Sequence, residues 1–372
     1  MVILIRCNDI VSDPRVMKYV GYLRENKIDH FIIGWDRERN SIPQDDIVYY
    51  NTKAGYNVGG FKAAWNRVRW MYFIIRSLLP YRHANHLVLH ACDLDAAYPA
   101  AIFKKIFNSS VKVVFDVFDW YSATLYNQNG VILRAFKYME KVAVKYSDKI
   151  IICEPERIEQ IPYRIEENKI SILPNIPHFT HKDFLCKDEK FKFNNSLITF
   201  AYVGGFSTER CITEIITLAK EGAVNLLIAG FGNADIEGML QDLSDCPFIK
   251  YFGKVKYTDG LNIMYNADVV YAMYAKSNPN HIYAAPNKYY EAMFLGKPIF
   301  TTKGTIVERK VDCNGLGYTS EESIEDIKKV IDCIDRTSLN QYGSNAANLW
   351  SQKYCSYTQD FLSGQYYEMI NQ

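Results

Sequence analysis

Short apolar runs recur along the chain, separated by stretches long enough for a helix. The first half carries VILIRC from residue 2, HFIIGW from 30, HLVLHAC from 86, KVVFDVFD from 112, KIIIC from 149 and ISILPN from 170. The second half carries LITFAYVGG from 197, NLLIAGFG from 225, IKYFGKV from 249, DVVYAMY from 268 and PIFTT from 298. Continuous rather than alternating apolar runs of this length predict strands buried on both faces. Segments with helical periodicity lie between them. Val16, Val20 and Leu23 share one face of a helix over 16–24, and Phe136, Met139, Val142 and Ala143 share one over 133–146. Strand and helix in alternation predict an α/β chain with parallel sheets joined by right-handed crossovers.

The pattern breaks across 176–196, IPHFTHKDFLCKDEKFKFNNS, which is rich in charge and has no clear period. It divides the chain into two doubly wound, Rossmann-like domains, 1–180 and 181–345, expected to face each other across a cleft. A helical tail over 346–372 follows, where Trp350, Tyr354, Tyr357 and Phe361 form a stripe suited to packing back on the cleft side or on the first domain. A length of 372 residues agrees with two domains. Apolar residues at 48% and charged residues at 23%, with no low-complexity segment, describe an ordinary globular chain.

The formal net charge of +1 steers no partner by itself, and the 28 tyrosines do not interleave with basic residues as in a nucleic-acid-binding surface. No nucleic-acid partner is expected. The nine cysteines are scattered without metal-knuckle or redox spacing, which suits free thiols in a reducing compartment. The opening MVILIRCNDI has too short an apolar run for a signal peptide, and no window of 18 apolar residues exists. A cytoplasmic protein is expected.

In open α/β sheets ligands bind beyond the carboxyl ends of the strands. Those positions hold Asp9, Asp93, Asp95, Asp116 and Asp119 in the first domain. In the second they hold GGFSTER, GFGNAD, AKSNPNH and TKGT, offering glycines, Arg210 and Lys303. The asymmetry fits an anionic ligand on the second domain and a hydroxyl-bearing partner on the first. In AAPNKYYEAMFLGKPI, from 284, Pro286–Asn287 starts a helix and Gly296 stops it. Lys288 then sits in the first turn, where a cation opposes the helix dipole. One reading is an exposed Lys288–Glu291 pair worth a few tenths of a kcal/mol. The other is a phosphate held by Lys288 and the free N–H groups at Asn287 and beyond, with Glu291 accepting from a neighbouring sugar hydroxyl. Tyr290, Met293 and Phe294 form the buried face. Gly204 and Gly205 allow close backbone approach, and Arg210 can clamp a diphosphate or simply lie on the surface. The GxG at Gly230 is a weaker signal, being without a third glycine. Asp93 and Asp95 read either as a metal-binding pair or as a helix N-cap with its first-turn acid. No His/Cys cluster points to zinc, and no metal or other cofactor is expected.

YVGGFSTERCI, LLIAGFGN, YFGKVKYTDGLNIMYNADVVYAMY and AAPNKYYEAMFLGKPIFTT follow one another in the order and spacing of retaining GT-B glycosyltransferases of the family 4 type. SDPRVMKYVGYLRENKIDHFIIGWDR, HACDLDAAYPA, VVFDVFDWYSA and ISILPNIP extend the resemblance over nearly the whole chain. It implies a hexosyltransferase of bacterial surface-polysaccharide assembly, with a UDP- or GDP-sugar on the second domain and a saccharide or lipid-linked acceptor on the first. Glu291 matches the second Glu of the family's paired-Glu pattern, which holds the ribose. Arg210 matches the basic residue at the diphosphate, and Asn287 and Lys288 match the segment facing the phosphates. The chain departs from the pattern where Tyr283 replaces the first Glu, Gly205 an Arg and Phe118 a His. Asp116 or Asp119 then stands in at the reaction centre. A sugar-nucleotide 2-epimerase of the same fold and a nucleotide-binding subunit without catalysis are the alternatives.

The window 47–92 contains no Asp or Glu and holds Lys53, Lys62, Arg67, Arg69, Arg76 and Arg82 among Trp65, Trp70, Tyr72, Phe73 and Ile74. This composition suits either an interfacial helix on anionic lipid or a core helix with a basic exposed side. The first would place the protein peripherally on the inner face of the plasma membrane.

Overall fold

Seven strands build the first of two parallel sheets: β1 (Val2–Arg6), β2 (His30–Gly34), β3 (Ile47–Tyr49), β4 (Val88–Cys92), β5 (Lys112–Val117), β6 (Lys149–Ile152) and β7 (Ile170–Ile172). Their order is β3-β2-β1-β4-β5-β6-β7. The computed structural model describes all residues except 9, 11–12, 40, 54–60, 125–129, 178–181 and 372, and only the backbone of 61–63 and 124. Six more strands form the second sheet: β8 (Thr199–Phe206), β9 (Asn225–Gly232), β10 (Ile249–Tyr251), β11 (Val269–Ala272), β12 (Ile299–Thr302) and β13 (Gly317–Ser320). They run β10-β9-β8-β11-β12-β13. Every described pairing within both sheets is parallel. Both orders reverse direction once, beside β1 and β4 and beside β8 and β11, which is the doubly wound arrangement with its switch point.

The chain divides into two compact units. One comprises Met1–Pro174 with Thr358–Gln372, the other Asn175–Tyr357. In the first unit the connecting helices are α1 (Pro14–Glu25), α2 (Phe61–Leu78), α3 (Leu94–Ile106), the single turn α4 (Tyr121–Thr124) and α5 (Gly130–Tyr146). Strand β4 shows how the sequence feeds both faces. Leu89 and Ala91 join Trp35, Trp70 and Phe103 in one core layer. His90, between them, points the other way, where its ring meets Tyr19 of α1 edge-on at 4.3 Å between centroids. Alternation of side chains across a strand makes this unavoidable.

The second unit adds α6 (Ile212–Lys220), α7 (Ala234–Asp242), α8 (Tyr257–Asn266), the single turn α9 (Pro279–Ile282), α10 (Asn287–Leu295), α11 (Ile306–Asn314), α12 (Ile324–Ile331) and α13 (Arg336–Leu349). Helix α10 keeps the expected limits, with Pro286 before it and Gly296 at φ 64° after it. It is buried nearly all round rather than on one face, since Tyr289 through Leu295 are all buried. After α13 the tail continues through α14 (Tyr357–Phe361) and α15 (Tyr367–Asn371), each preceded or followed by a wide π-helical turn. The aromatic stripe divides between the units. Trp350 and Tyr354 pack in the second unit's core. In the first unit, Phe361 is buried.

Candidate functional site

In the second unit the site grows from the switch point between β8 and β11. Gly204 takes φ 153° at the end of β8, and a Cβ there would lie 2.8 Å from Lys288 Nζ. Gly230, paired with Gly204 across the sheet, takes φ 151°, and a Cβ on it would sit 1.9 Å from Gly204 O. Both positions require glycine. Gly205 has no atom within 4 Å of where its Cβ would be, so its backbone is open.

Two cations flank this strand end. Arg210 lies over the Tyr274 ring, 4.3 Å from its centroid. Lys288 lies over the Tyr202 ring at 4.8 Å. Tyr202 is held in turn by donating its hydroxyl to Gly205 O at 2.6 Å. Among the described residues neither cation forms an ion pair with a carboxylate. Aromatic faces position a charge without neutralising it. Burial pulls the half-buried Lys288 ammonium down to about 8; Glu291 opposes that drop and Arg210 adds to it. Helix α10 supplies the third positive element. Its N-cap, Pro286, makes no side-chain cap and its first turn contains no acid.

Glu291, one turn further along, makes no ion pair with Lys288. It is 5% exposed and accepts from the Tyr257 hydroxyl at 3.0 Å. Burial pushes its carboxyl up, against the pull of Lys288 and Tyr257. The exposed-pair reading of these two residues is therefore not the one the fold adopts. Asn287 is exposed at the helix start, and Lys303 is exposed after β12. Neighbouring Glu209 is already engaged: it accepts from Asn278 Nδ2 at 3.2 Å and lies 3.8 Å from His281 Nε2.

In the first unit the carboxylates at the strand exits differ sharply in what they can still do. Asp116 is fully buried. Arg15 grips it through Nη2 at 2.7 Å and Nε at 3.1 Å, and Tyr19 donates to it at 2.8 Å. Burial alone would raise its carboxyl; Arg15 and then His90 outweigh that and hold it well below the usual range. Asp119 is half-exposed and faces Arg157 at 3.3 Å. Asp93 occupies the N-cap position of α3 at φ 68° but makes no side-chain cap. Its carboxylate instead pairs with Arg6 and accepts from the backbone N–H of Phe118 at 3.0 Å and of Asp119 at 3.3 Å. Burial lifts it to about 6, with Arg6 opposing and Asp95 and Asp119 adding to the rise. Asp95 is 2% exposed, and its oxygens accept from no nitrogen or oxygen donor, the Cys7 thiol alone lying within hydrogen-bonding reach among the described residues. It lies close enough to push up the buried Cys7 thiol and the Tyr121 hydroxyl. Asp9 lies outside the described residues.

His90, Cys92 and Asp116 bring ligand atoms within 4.8 Å of one another, all buried. The Arg15 guanidinium already takes the Asp116 oxygens, and His90 Nδ1 is hydrogen-bonded to the Tyr366 hydroxyl at 2.9 Å. A cation beside that guanidinium would meet like charge. The cluster is a buried ion-pair network tying the tail to the strand exits of its own unit.

Sequence reasoning named Arg210, Lys288 and Glu291 but gave no role to the tyrosines that position them. Tyr202 and Tyr257 stand inside the quoted motifs, Tyr202 two residues before the paired glycines. Arg15, whose partner is 101 positions away, left no local signal.

No family model matches the sequence, and no curated protein does. Solved structures match along nearly the whole chain. A sucrose-phosphate synthase from Thermosynechococcus elongatus is 13% identical with TM-score 0.76, over 99% of this chain and 98% of that one. HepE of Anabaena, solved in complex with UDP and glucose, is 12% identical with TM-score 0.67, over 98% and 99%. WaaG, a glycosyltransferase involved in lipopolysaccharide biosynthesis, is 14% identical with TM-score 0.61, over 98% and 100%. At these identities the likeness is one of fold. The chain has the GT-B glycosyltransferase fold expected from its motifs.

Proposed function

We propose that the protein is a glycosyltransferase that moves a hexosyl group from a UDP- or GDP-sugar to a saccharide or lipid-linked acceptor, with retention at the anomeric carbon. The reading is carried by Arg210 and Lys288. These two cations rest on tyrosine faces without carboxylate partners, beside an uncapped helix N-terminus and the open backbone of Gly205. Such a site stabilises negative charge that develops on a departing diphosphate. In the step proposed, the bond from the anomeric carbon to the diphosphate oxygen breaks. The acceptor hydroxyl attacks from the same face, and a phosphate oxygen takes its proton. Glu291 accepts from the ribose, the open backbone of Gly205 and the exposed Asn287 face the phosphates, and Gly204 and Gly230 let the strand ends and Lys288 pack closely behind them.

On the acceptor side we assign Asp95, whose oxygens meet no nitrogen or oxygen donor, and the half-exposed Asp119 to acceptor hydroxyls. Asp93 and Asp116, already committed to Arg6 and Arg15, act as positioning residues. A role in surface-polysaccharide assembly and a lipid-linked acceptor met at the membrane belong to the same reading.

A thermal-shift panel of nucleotide sugars tests it. The donor should raise the melting temperature by mass action, and Glu291→Ala should remove both that shift and transfer. Turnover of the donor without any acceptor would favour a 2-epimerase instead. Binding with no turnover would favour a non-catalytic subunit.

A further inference from the structure

Two helices of the first unit present apolar side chains to solvent in company with cations alone. On α2, Trp65, Val68 and Tyr72 are each more than half exposed. They lie 3 and 4 residues apart on one face, which also carries the exposed Arg69 and Arg76. On α5, Val131 and Tyr138 are more than half exposed and Ile132 is exposed as well. The exposed cations beside them are Arg134, Lys137, Lys141 and Lys145. The sequence of α2 contains no Asp or Glu. The sole acid of α5, Glu140, is 1% exposed and turned inward, where it accepts from the backbone N–H of Ser122 at 2.7 Å. Both helices pack on α3. The Arg67 guanidinium of α2 lies 5.3 Å from the Tyr121 ring and 5.8 Å from the Phe136 ring of α5, so the N-terminal parts of the two helices adjoin.

We infer that α2 and α5 together form one docking face for an anionic lipid bilayer. A helix placed in a membrane interface buries large apolar side chains at the acyl boundary and sets cations among the headgroups. Trp and Tyr are the residues suited to that depth, with one apolar and one wet side. Each cation near an anionic surface contributes roughly fivefold in affinity, and the face holds Arg69, Arg76, Arg134, Lys137, Lys141 and Lys145 with no exposed carboxylate on either helix to oppose them. A soluble polyanion would be met by the cations alone and would leave the tryptophan, valines and tyrosines unexplained. Sequence composition had pointed to α2 only; the participation of α5 comes from the fold. The inference takes its purpose from the proposed lipid-linked acceptor, and its evidence from the surface itself.

The test is co-sedimentation of the full chain with vesicles of phosphatidylglycerol and phosphatidylcholine, and separately of phosphatidylcholine alone. Binding is expected to the first and not the second, and to weaken with salt. Arg134→Glu/Lys137→Glu/Lys141→Glu, on the helix that composition did not single out, should abolish it. Trp65→Ser/Tyr72→Ser/Tyr138→Ser should reduce it at least tenfold, with the melting temperature of both variants unchanged. Equal binding to both vesicle types, no binding, or retention by the α5 variant overturns the inference. So does loss with the charge variant but not with the aromatic one, which would identify a soluble polyanion as the partner. UDP and GDP thermal shifts on the same variants should match the wild type. A wild-type protein that fails to bind the anionic vesicles yet shifts with UDP or GDP thus sinks this inference alone, and one that binds the vesicles but shows no nucleotide shift sinks the transferase reading alone.

Discussion

Raising the pH should loosen the grip on nucleoside diphosphate, and Lys288 should be the reason. Its ammonium is pulled down to about 8 in the free protein because it is desolvated beside Arg210. A diphosphate placed against it would reverse that penalty and return it at least to the ordinary value, roughly 10.4. The sign follows from linkage. Below pH 8 the lysine is charged with or without ligand, and affinity is at its maximum. Between 8 and the ligand-bound value, binding must take up a proton, so affinity falls as pH rises. A full restoration corresponds to about 3 kcal/mol; the side chain is half-buried, so solvent screening trims this to about 2 kcal/mol, some thirtyfold. Calorimetric titration of UDP or GDP between about pH 7.5 and 9 measures it, because the terminal phosphate, whose second ionisation lies at about 6, is then almost fully ionised. Repeating the titration in buffers of different ionisation heat counts the proton directly. Lys288→Arg keeps its charge across the range and should flatten the profile. Lys288→Gln should bind more weakly at pH 7 and also show no slope. If wild type and Lys288→Arg lose affinity in parallel, or if no proton is taken up, the reasoning about this lysine is wrong.

Three further outcomes follow from the same geometry. Arg15→Met should cost about 3–5 kcal/mol in urea unfolding, since it leaves the buried Asp116 carboxylate without its main partner; a cost under 1 kcal/mol would contradict the assignment. Gly230→Ala should fail to accumulate as folded protein or lose several degrees of melting temperature, because its Cβ would meet Gly204 O at 1.9 Å in a backbone conformation that disfavours it. Asp95→Asn should be as stable as wild type or up to about 1 kcal/mol more stable, because the substitution takes a formal charge off a buried side chain whose oxygens accept from no nitrogen or oxygen donor, yet should transfer at least tenfold more slowly with donor binding unchanged. A large loss of stability in Asp95→Asn would make that carboxylate a structural one.

The strands readable from the sequence are those buried enough to need a continuous apolar run. The two that escaped, β3 and β13, are edge strands. With partners on one side only, IVY and GYTS need little burial and leave no run to detect. Helix α10 was legible to the residue because Pro286 and Gly296 are chemical stops. Its burial was not, because tertiary neighbours cover faces that an isolated helix would expose. Arg210 could be named from its strand-exit position, and Lys288 from its place in the first turn of α10. What tells the carboxylates of the first unit apart is pairing, and pairing is a long-range matter. Asp116 meets Arg15 across 101 positions, Asp93 meets Arg6 across 87, and only the folded chain shows Asp95 left over.

The tail carries an implication for how such a molecule can be rearranged. Because Thr358–Gln372 belongs with Met1–Pro174, the first unit is not one uninterrupted piece of polypeptide. Its fully buried Tyr366, with Phe361 and Leu362, arrives from the far end of the chain. Exchanging the first unit for that of another protein therefore takes two splice points, one after residue 174 and one after 357. A chimera joined at the first alone would inherit a last helix shaped for somebody else's core.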